Sequence, residues 1–191
     1  MKRTFIVLGL VASSILTYSC ENNSEKGEAK EIQIERQSLW TDSLKSEFVE
    51  KNASTDYEKF IIDKLIEDNK FEKGPELIQE ELKKESFATY KNINSMSYLV
   101  EVDKLAGKSK AQIEIILGQP NKKEKVNPSS APCPCDKYIY LDNLVEIVYI
   151  KNKADWITIN NAPFFVKVKD SGSYRSVDRF DDYTYVKVKT R

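Results

Sequence analysis

Two cysteines that lie one residue apart are the strongest candidates for chemistry in this chain. Cys133 and Cys135 belong to the stretch PSSAPCPCDKY. At this spacing their Cα atoms can come within the ~4.4–6.8 Å that a disulfide tolerates. Three interpretations follow: structural cysteines, a redox pair, or a low-coordinate Cu(I) site. We favour the structural one, because a reactive cysteine needs an electropositive setting, which Asp136 opposes.

Lysines at alternate positions of two similar segments are the second candidate. FFVKVKD at 164–170 and TYVKVKT at 184–190 each place Val on one face of a predicted strand and Lys on the other. One interpretation is a half-buried sheet that lysines keep soluble at its edges. The other is a cationic interaction face that meets anionic lipid or an acidic partner. That face consists of Lys167, Lys169, Lys187, Lys189 and Arg191.

Other chemistry is not indicated. The chain contains no histidine, which removes Ser-His and Cys-His activation and most mixed metal sites. Asp178, Asp181 and Asp182 lack the spacing and glycine of a calcium loop, so they predict a solvated turn between the lysine-bearing strands. We therefore predict no catalytic residue, no cofactor, no metal site and no enzyme.

The first 20 residues predict where in the cell the protein is located. Lys2 and Arg3 precede an apolar stretch of about a dozen residues, which is typical of a secretory signal and too short for a membrane span. Leu16 to Cys20 (LTYSC) resembles the lipobox of bacterial lipoproteins, in which the cysteine is acylated. Cleavage by ordinary signal peptidase is the alternative. Without Lys2 and Arg3 the chain has 28 basic against 30 acidic residues, which argues against nucleic-acid binding.

The elements that would position these residues begin with helices. After a polar tether at 20–37, apolar spacing predicts a helix from about Leu39 to Phe48. Thr55 and Glu58 predict a capping box for a second helix, and Gly74-Pro75 separates it from a third. YLVEV at 98–102 predicts a short strand.

The stretch LAGKSKAQIEIILGQP, at 105–120, predicts a short helix with clear ends. Ser109 and Gln112 form a capping box, Gly118 suits a left-handed C-terminal cap, and Pro120 prevents continuation. Apolar and β-branched runs then predict a β-meander. Its strands are 138–141, 144–150 and 156–159, with connections at Asp142-Asn143 and 151–155.

This motif and the meander resemble the SmpA/OmlA (BamE) lipoproteins and the related β-lactamase-inhibitory-protein-like superfamily. The resemblance covers residues about 100–160 and rests on Gly107, Ser109, Gln112, Ile113, Ile116, Leu117, Gly118 and Pro120. It implies an outer-membrane lipoprotein, in one branch an accessory subunit of the machine that inserts β-barrels.

Together these patterns predict an α+β fold in which the capped helix packs on an antiparallel sheet of four or five strands. The predicted divisions are a signal peptide at 1–19, a tether at 20–37, a helical region at 38–95 and a BamE-like domain at 96–191. We predict an envelope protein that is lipid-anchored at Cys20 and binds a protein partner without catalysis. The alternatives are a redox or metal-binding protein that uses Cys133 and Cys135, and a small-ligand or inhibitor module.

Overall fold

Helices form the first half of the part of the chain that the structure describes. The computed structural model describes residues 37–127, 134–163, 168 and 174–188. Its helices are α1 (Asp42–Asn52), α2 (Asp56–Asn69), α3 (Pro75–Glu81), α4 (Glu85–Leu99) and α5 (Lys110–Leu117), with a 3₁₀ turn at Val102–Lys104. Over these described ranges, no helix combines the length and apolar composition needed to cross a membrane.

Local signals set the beginnings of three helices. The side chain of Thr55 accepts a hydrogen bond from the backbone N–H of Glu58, as predicted. The carboxylate of Glu58 accepts from the N–H of Ser54 rather than from that of Thr55, so only half of the expected capping box forms. Ser109 and Gln112 form both bonds of theirs, and Pro75 occupies the first turn of α3.

The predicted strand at 98–102 is wrong. This stretch ends α4 at Leu99 and continues into the 3₁₀ turn. Tyr98, Leu99 and Val102 are all buried in the core, and helical geometry is what brings them to the same side. Tertiary packing therefore overrides the β propensity of the segment.

All strands belong to one antiparallel sheet, which confirms the α+β prediction. They are β1 (Lys122–Val126), β2 (Cys135–Tyr140), β3 (Val145–Ile150), β4 (Lys153–Asn160), β5 (Tyr174–Arg179) and β6 (Tyr183–Val188). Their order is β1-β2-β3-β4-β6-β5. The described sheet thus has six strands rather than four or five, because β1 and β5 lie in stretches for which we predicted no strand. The predicted strand at 164–170 lies, except for Val168, outside the described residues.

The hairpin connections use backbone conformations that asparagine tolerates. Asp142 and Asn143 have φ of 50° and 72°, and Lys151 and Asn152 have φ of 49° and 64°. The second connection is therefore a two-residue turn, shorter than the predicted 151–155, and β4 already begins at Lys153. A register shift between β3 and β4 gives Asp155 no partner in β3, as in a β-bulge.

Two clusters of buried side chains form the interior. The larger unites the sheet with α5 and one side of α2, including Tyr57 and Ile61. The smaller contains Trp40, which precedes α1, and six residues of the first three helices: Phe48, Val49, Ile62, Leu65, Ile66 and Ile78. Phe87 and Tyr90 of α4 pack against both clusters. The described elements belong to one compact unit that spans residues 36–191.

Candidate functional site

Most of the residues that the sequence singled out lie outside the described ranges. This holds for Cys20, Cys133, Lys167, Lys169, Lys189 and Arg191. Their predicted roles, including the lipid anchor and the pairing of Cys133, stay predictions. The structure does describe Cys135, Lys187 and the three aspartates at 178–182.

Lys187 does not project into solvent, as an exposed cationic face would require. Its neighbours Val186 and Val188 are buried, which agrees with the predicted alternation. The side chain of Lys187 is nevertheless only 11% exposed and forms an ion pair with Asp155, which is 2% exposed. Its ammonium also lies 4.5 Å from the ring centroid of Trp156. The bulge in β4 explains this arrangement, because it places the carboxylate of Asp155 beside β6.

The aspartates near the C-terminus are not all in a turn. Asp178 lies in β5, while Asp181 and Asp182 form the exposed connection to β6. The ring of Phe180 stacks on that of Tyr183, 4.5 Å between centroids, and closes this hairpin. Among the described residues, no group of three or more histidine, cysteine, aspartate or glutamate side chains could hold a metal ion.

Cys135 begins β2 and is buried, with 6% of its surface exposed. It is disulfide-bonded, and the other two cysteines of the chain, Cys20 and Cys133, are outside the described ranges. A cysteine in this state offers no thiolate as a nucleophile or metal ligand.

Cys135 lines a cleft of about 350 Å³ at one end of the sheet. The start of α5, the start of β2, the end of β3 and the turn into β4 form its walls. The lining residues are Lys110, Pro134, Cys135, Asp136, Tyr149, Ile150, Lys151 and Asn152. We call this the basic cleft.

Backbone hydrogen bonds hold α5 against the sheet at this cleft. The N–H of Gly107 donates to the carbonyl of Ala154 at 2.9 Å, and the N–H of Ala154 donates to the carbonyl of Lys108 at 2.8 Å. The capping box at Ser109 then fixes the first turn of the helix, which presents Lys110 to the cleft. The position of Lys110 is thus set by the backbone rather than by its flexible side chain.

Charges in the basic cleft are fixed by pairing. Asp136 accepts a short hydrogen bond from Lys110 and forms an ion pair of 2.5 Å with Lys125. These bonds lower the pKa of Asp136, and the bond to Asp136 raises the pKa of Lys110. Both groups therefore stay charged near neutral pH, and neither is suited to transfer a proton.

Tyr149 is the aromatic residue that lines the basic cleft. Tyr149 is buried, and its hydroxyl lies 2.7 Å from that of Tyr140. Lys110 lies over two rings, 5.2 Å from the centroid of Tyr138 and 5.6 Å from that of Tyr149. Burial raises the pKa of both hydroxyls of the pair, that of Tyr140 to about 12. Tyr140 and Tyr149 are therefore neutral at physiological pH and act as packing surface.

Two exposed lysines belong to the β3–β4 hairpin. Lys151 lines the basic cleft, whereas Lys153 pairs with Ile150 and is not one of the lining residues. Within the described ranges, neither lysine has a carboxylate oxygen within 4.0 Å, whereas Lys110 and Lys125 share Asp136. The sequence patterns do not predict this cluster. The signal that could have found it is Lys-Asn-Lys at 151–153, directly after an apolar strand.

No protein-family model, curated protein or solved structure matches this chain.

Proposed function

We propose that this chain is an envelope lipoprotein, anchored through an acylated Cys20, that acts as a non-catalytic protein-binding module. The anchor and the envelope location rest on the signal pattern at 1–20. The binding role rests on the basic cleft, in which a concave surface with charged walls carries no group poised for chemistry. That single observation supports binding rather than catalysis.

The basic cleft favours binding because its reactive groups are already occupied. The carboxylate of Asp136 is neutralised by two lysines, and Cys135 is disulfide-bonded. The chain has no histidine to shuttle protons. Groups whose ionisation is locked by partners can still attract a ligand of opposite charge, since attraction needs no proton transfer.

A role in outer-membrane protein assembly is the specific form of this proposal. Its support is the resemblance of residues about 100–160 to the BamE lipoproteins, carried by the capped helix from Ser109 to Gly118 and the meander that follows. The helix and the meander both form. The partner would then be a component of the barrel-assembly machinery.

A redox function is the second candidate, and the observation that favours it is the disulfide at Cys135. A bond between Cys133 and Cys135 would close a very short loop, and such strained bonds are more readily reduced. This function predicts loss of phenotype in a Cys133→Ser/Cys135→Ser variant. The binding function predicts a near-normal phenotype.

The deciding experiment is crosslinking of the anchored protein in intact envelopes, followed by purification and mass spectrometry of the partners. A Cys20→Ser variant is the matched control, because it removes the acylation site and leaves the described fold unchanged. We expect a reproducible protein partner with the native chain that is depleted with the control. Barrel-assembly subunits would support the assembly role. Absence of any partner, together with a growth defect in the double cysteine variant, would refute the binding function in favour of the redox one.

A further inference from the structure

We propose that the basic cleft takes an acidic segment of the partner protein, with side-chain carboxylates seated between Lys110 and Lys151. This inference deepens the proposed binding function and rests on it. It names the chemistry that the partner must present, which neither the sequence motif nor the fold supplies.

The charge balance of the cleft is the first argument. Lys110 and Lys151 line it, and Lys125 pairs with Asp136, the one carboxylate of the lining, so these four groups carry a formal charge of +2. Many lysines of the described helices instead pair with carboxylates across helix surfaces, for example Lys45 with Asp63 and Glu67. A local excess of one charge with unsatisfied members attracts a ligand of the opposite charge.

The shape of the cleft decides between an acidic protein segment and an anionic membrane. A bilayer presents a flat array of headgroups, which suits a protruding cationic surface. Here Lys110, the buried Tyr149 and the half-buried Ile150 all line a recess. A recess lined by both apolar and cationic side chains fits one or two extended side chains with their methylene groups, as a glutamate-rich segment provides.

The probe is a fluorescently labelled peptide with four consecutive glutamates between Gly-Ser flanks, compared with its glutamine counterpart. The protein is purified as the whole chain in non-ionic detergent. Binding is followed by fluorescence anisotropy at low and at high salt. Pure phosphatidylcholine vesicles and vesicles that also contain phosphatidylglycerol are tested in parallel by co-sedimentation.

The matched pair of variants is Lys151→Glu/Lys153→Glu and Lys51→Glu/Lys83→Glu. All four lysines are exposed and lack an ion pair within the described ranges, and both variants change the net charge equally. Lys51 lies at the end of α1 and Lys83 follows α3, so neither borders the cleft. Far-UV circular dichroism and the melting temperature show whether each variant folds.

We expect the glutamate peptide to bind and the glutamine peptide not to bind. Affinity should fall steeply with added salt, because the Debye length shrinks from ~10 Å at 0.1 M to ~3 Å at 1 M. The cleft variant should bind the peptide at least ~10-fold more weakly, which is about 1.4 kcal/mol, while the control variant stays near the native affinity.

Three results would overturn the inference: equal losses in both variants, no salt-sensitive binding of the glutamate peptide, or cleft-dependent binding to anionic vesicles in its place. The outcome is separable from that of the proposed function. If envelope crosslinking still recovers a partner with the cleft variant, the binding function stands and only the acidic-segment inference fails. If crosslinking recovers no partner even with the native chain, the binding function itself fails.

Discussion

A buried hydrogen bond between α2 and α4 leads to a prediction in which one substitution partly offsets the loss of stability caused by another. The hydroxyl oxygens of Tyr57 and Ser95 lie 2.5 Å apart, and both residues are almost fully buried, with 2% and 1% of their surfaces exposed. Ser95 has a single hydroxyl proton, which it donates to the carbonyl of Lys91 at 2.6 Å. Tyr57 is therefore the donor of the bond that joins the two helices.

Because Tyr57 is the donor, the two single substitutions should destabilise the fold by different amounts. Ser95→Ala leaves the buried O–H of Tyr57 without an acceptor, which costs ~1–3 kcal/mol. The better helix propensity of alanine returns up to ~0.5 kcal/mol of this. Tyr57→Phe removes the donor but leaves Ser95 bonded to Lys91, so it should cost only ~0.5–1.5 kcal/mol. Adding Tyr57→Phe to Ser95→Ala removes the Tyr57 hydroxyl that lacks an acceptor. The free energy of unfolding should then rise again by about 1 kcal/mol.

Urea unfolding followed by circular dichroism measures all four free energies in one double-mutant cycle. The slope of free energy against urea must stay constant for the comparison to hold. The expected order of stability is native, Tyr57→Phe, the double variant close to it, and Ser95→Ala last. If the two substitutions are simply additive, so that the double variant is the least stable, the assigned direction of the hydrogen bond is wrong.

Two further predictions concern other buried groups. Lys187→Met should destabilise the fold by ~3–5 kcal/mol, because it leaves the carboxylate of Asp155 buried without its cation. The control is Lys153→Met at an exposed position, which should change the free energy of unfolding by less than ~0.5 kcal/mol. Similar urea midpoints for the two variants would contradict this prediction. Burial raises the pKa of Tyr140 from 10.0 to about 12, so the folded state favours the neutral hydroxyl. The contribution of this hydroxyl to the free energy of unfolding is therefore complete below pH 10 and is lost as the pH rises towards 12. Alkaline unfolding should therefore be less steep in Tyr140→Phe over that range, and parallel curves would refute the assignment.

The sequence predicts an element correctly where residues within the same segment set its turns and satisfy its backbone hydrogen bonds. The helix that begins at Ser109 was predicted with its start, because the capping box needs only Ser109 and Gln112. The three strands of the meander were likewise predicted, since their apolar residues alternate and asparagines mark both turns. In these segments, local preference and global fold agree.

Other elements depend on partners far along the chain. β1 has the sequence KKEKV, which carries no apolar alternation, and it is a strand because it pairs with β2 from Lys122 to Val126. β5 begins beside Ser and Gly residues typical of loops and pairs with β6 through an irregular register. Edge strands of this kind take their conformation from a neighbouring strand, so their own residues predict them poorly.

The basic cleft was not predictable from any single segment. Lys110 comes from a helix, Asp136 from β2 and Lys151 from a hairpin turn, and they meet because antiparallel pairing brings the start of β2 beside the end of β3. The burial of Lys187 has a similar origin, because Asp155 reaches it only through the bulge in β4. Charge patterns along the sequence indicate which residues are available, but the fold decides which of them pair.

The two tryptophans can report by fluorescence on different parts of the fold. The chain has two tryptophans. Trp40 belongs to the helical cluster, with its indole N–H donating to the carbonyl of Lys73 at 2.7 Å and Phe48 against its edge. Trp156 lies on β4, with its ring centroid 5.7 Å from that of Tyr185 and the ammonium of Lys187 above it. The helical cluster and the sheet thus each carry one fluorophore, in distinct electrostatic settings. Emission from single-tryptophan variants would show whether the α1–α3 layer and the sheet melt together or one after the other.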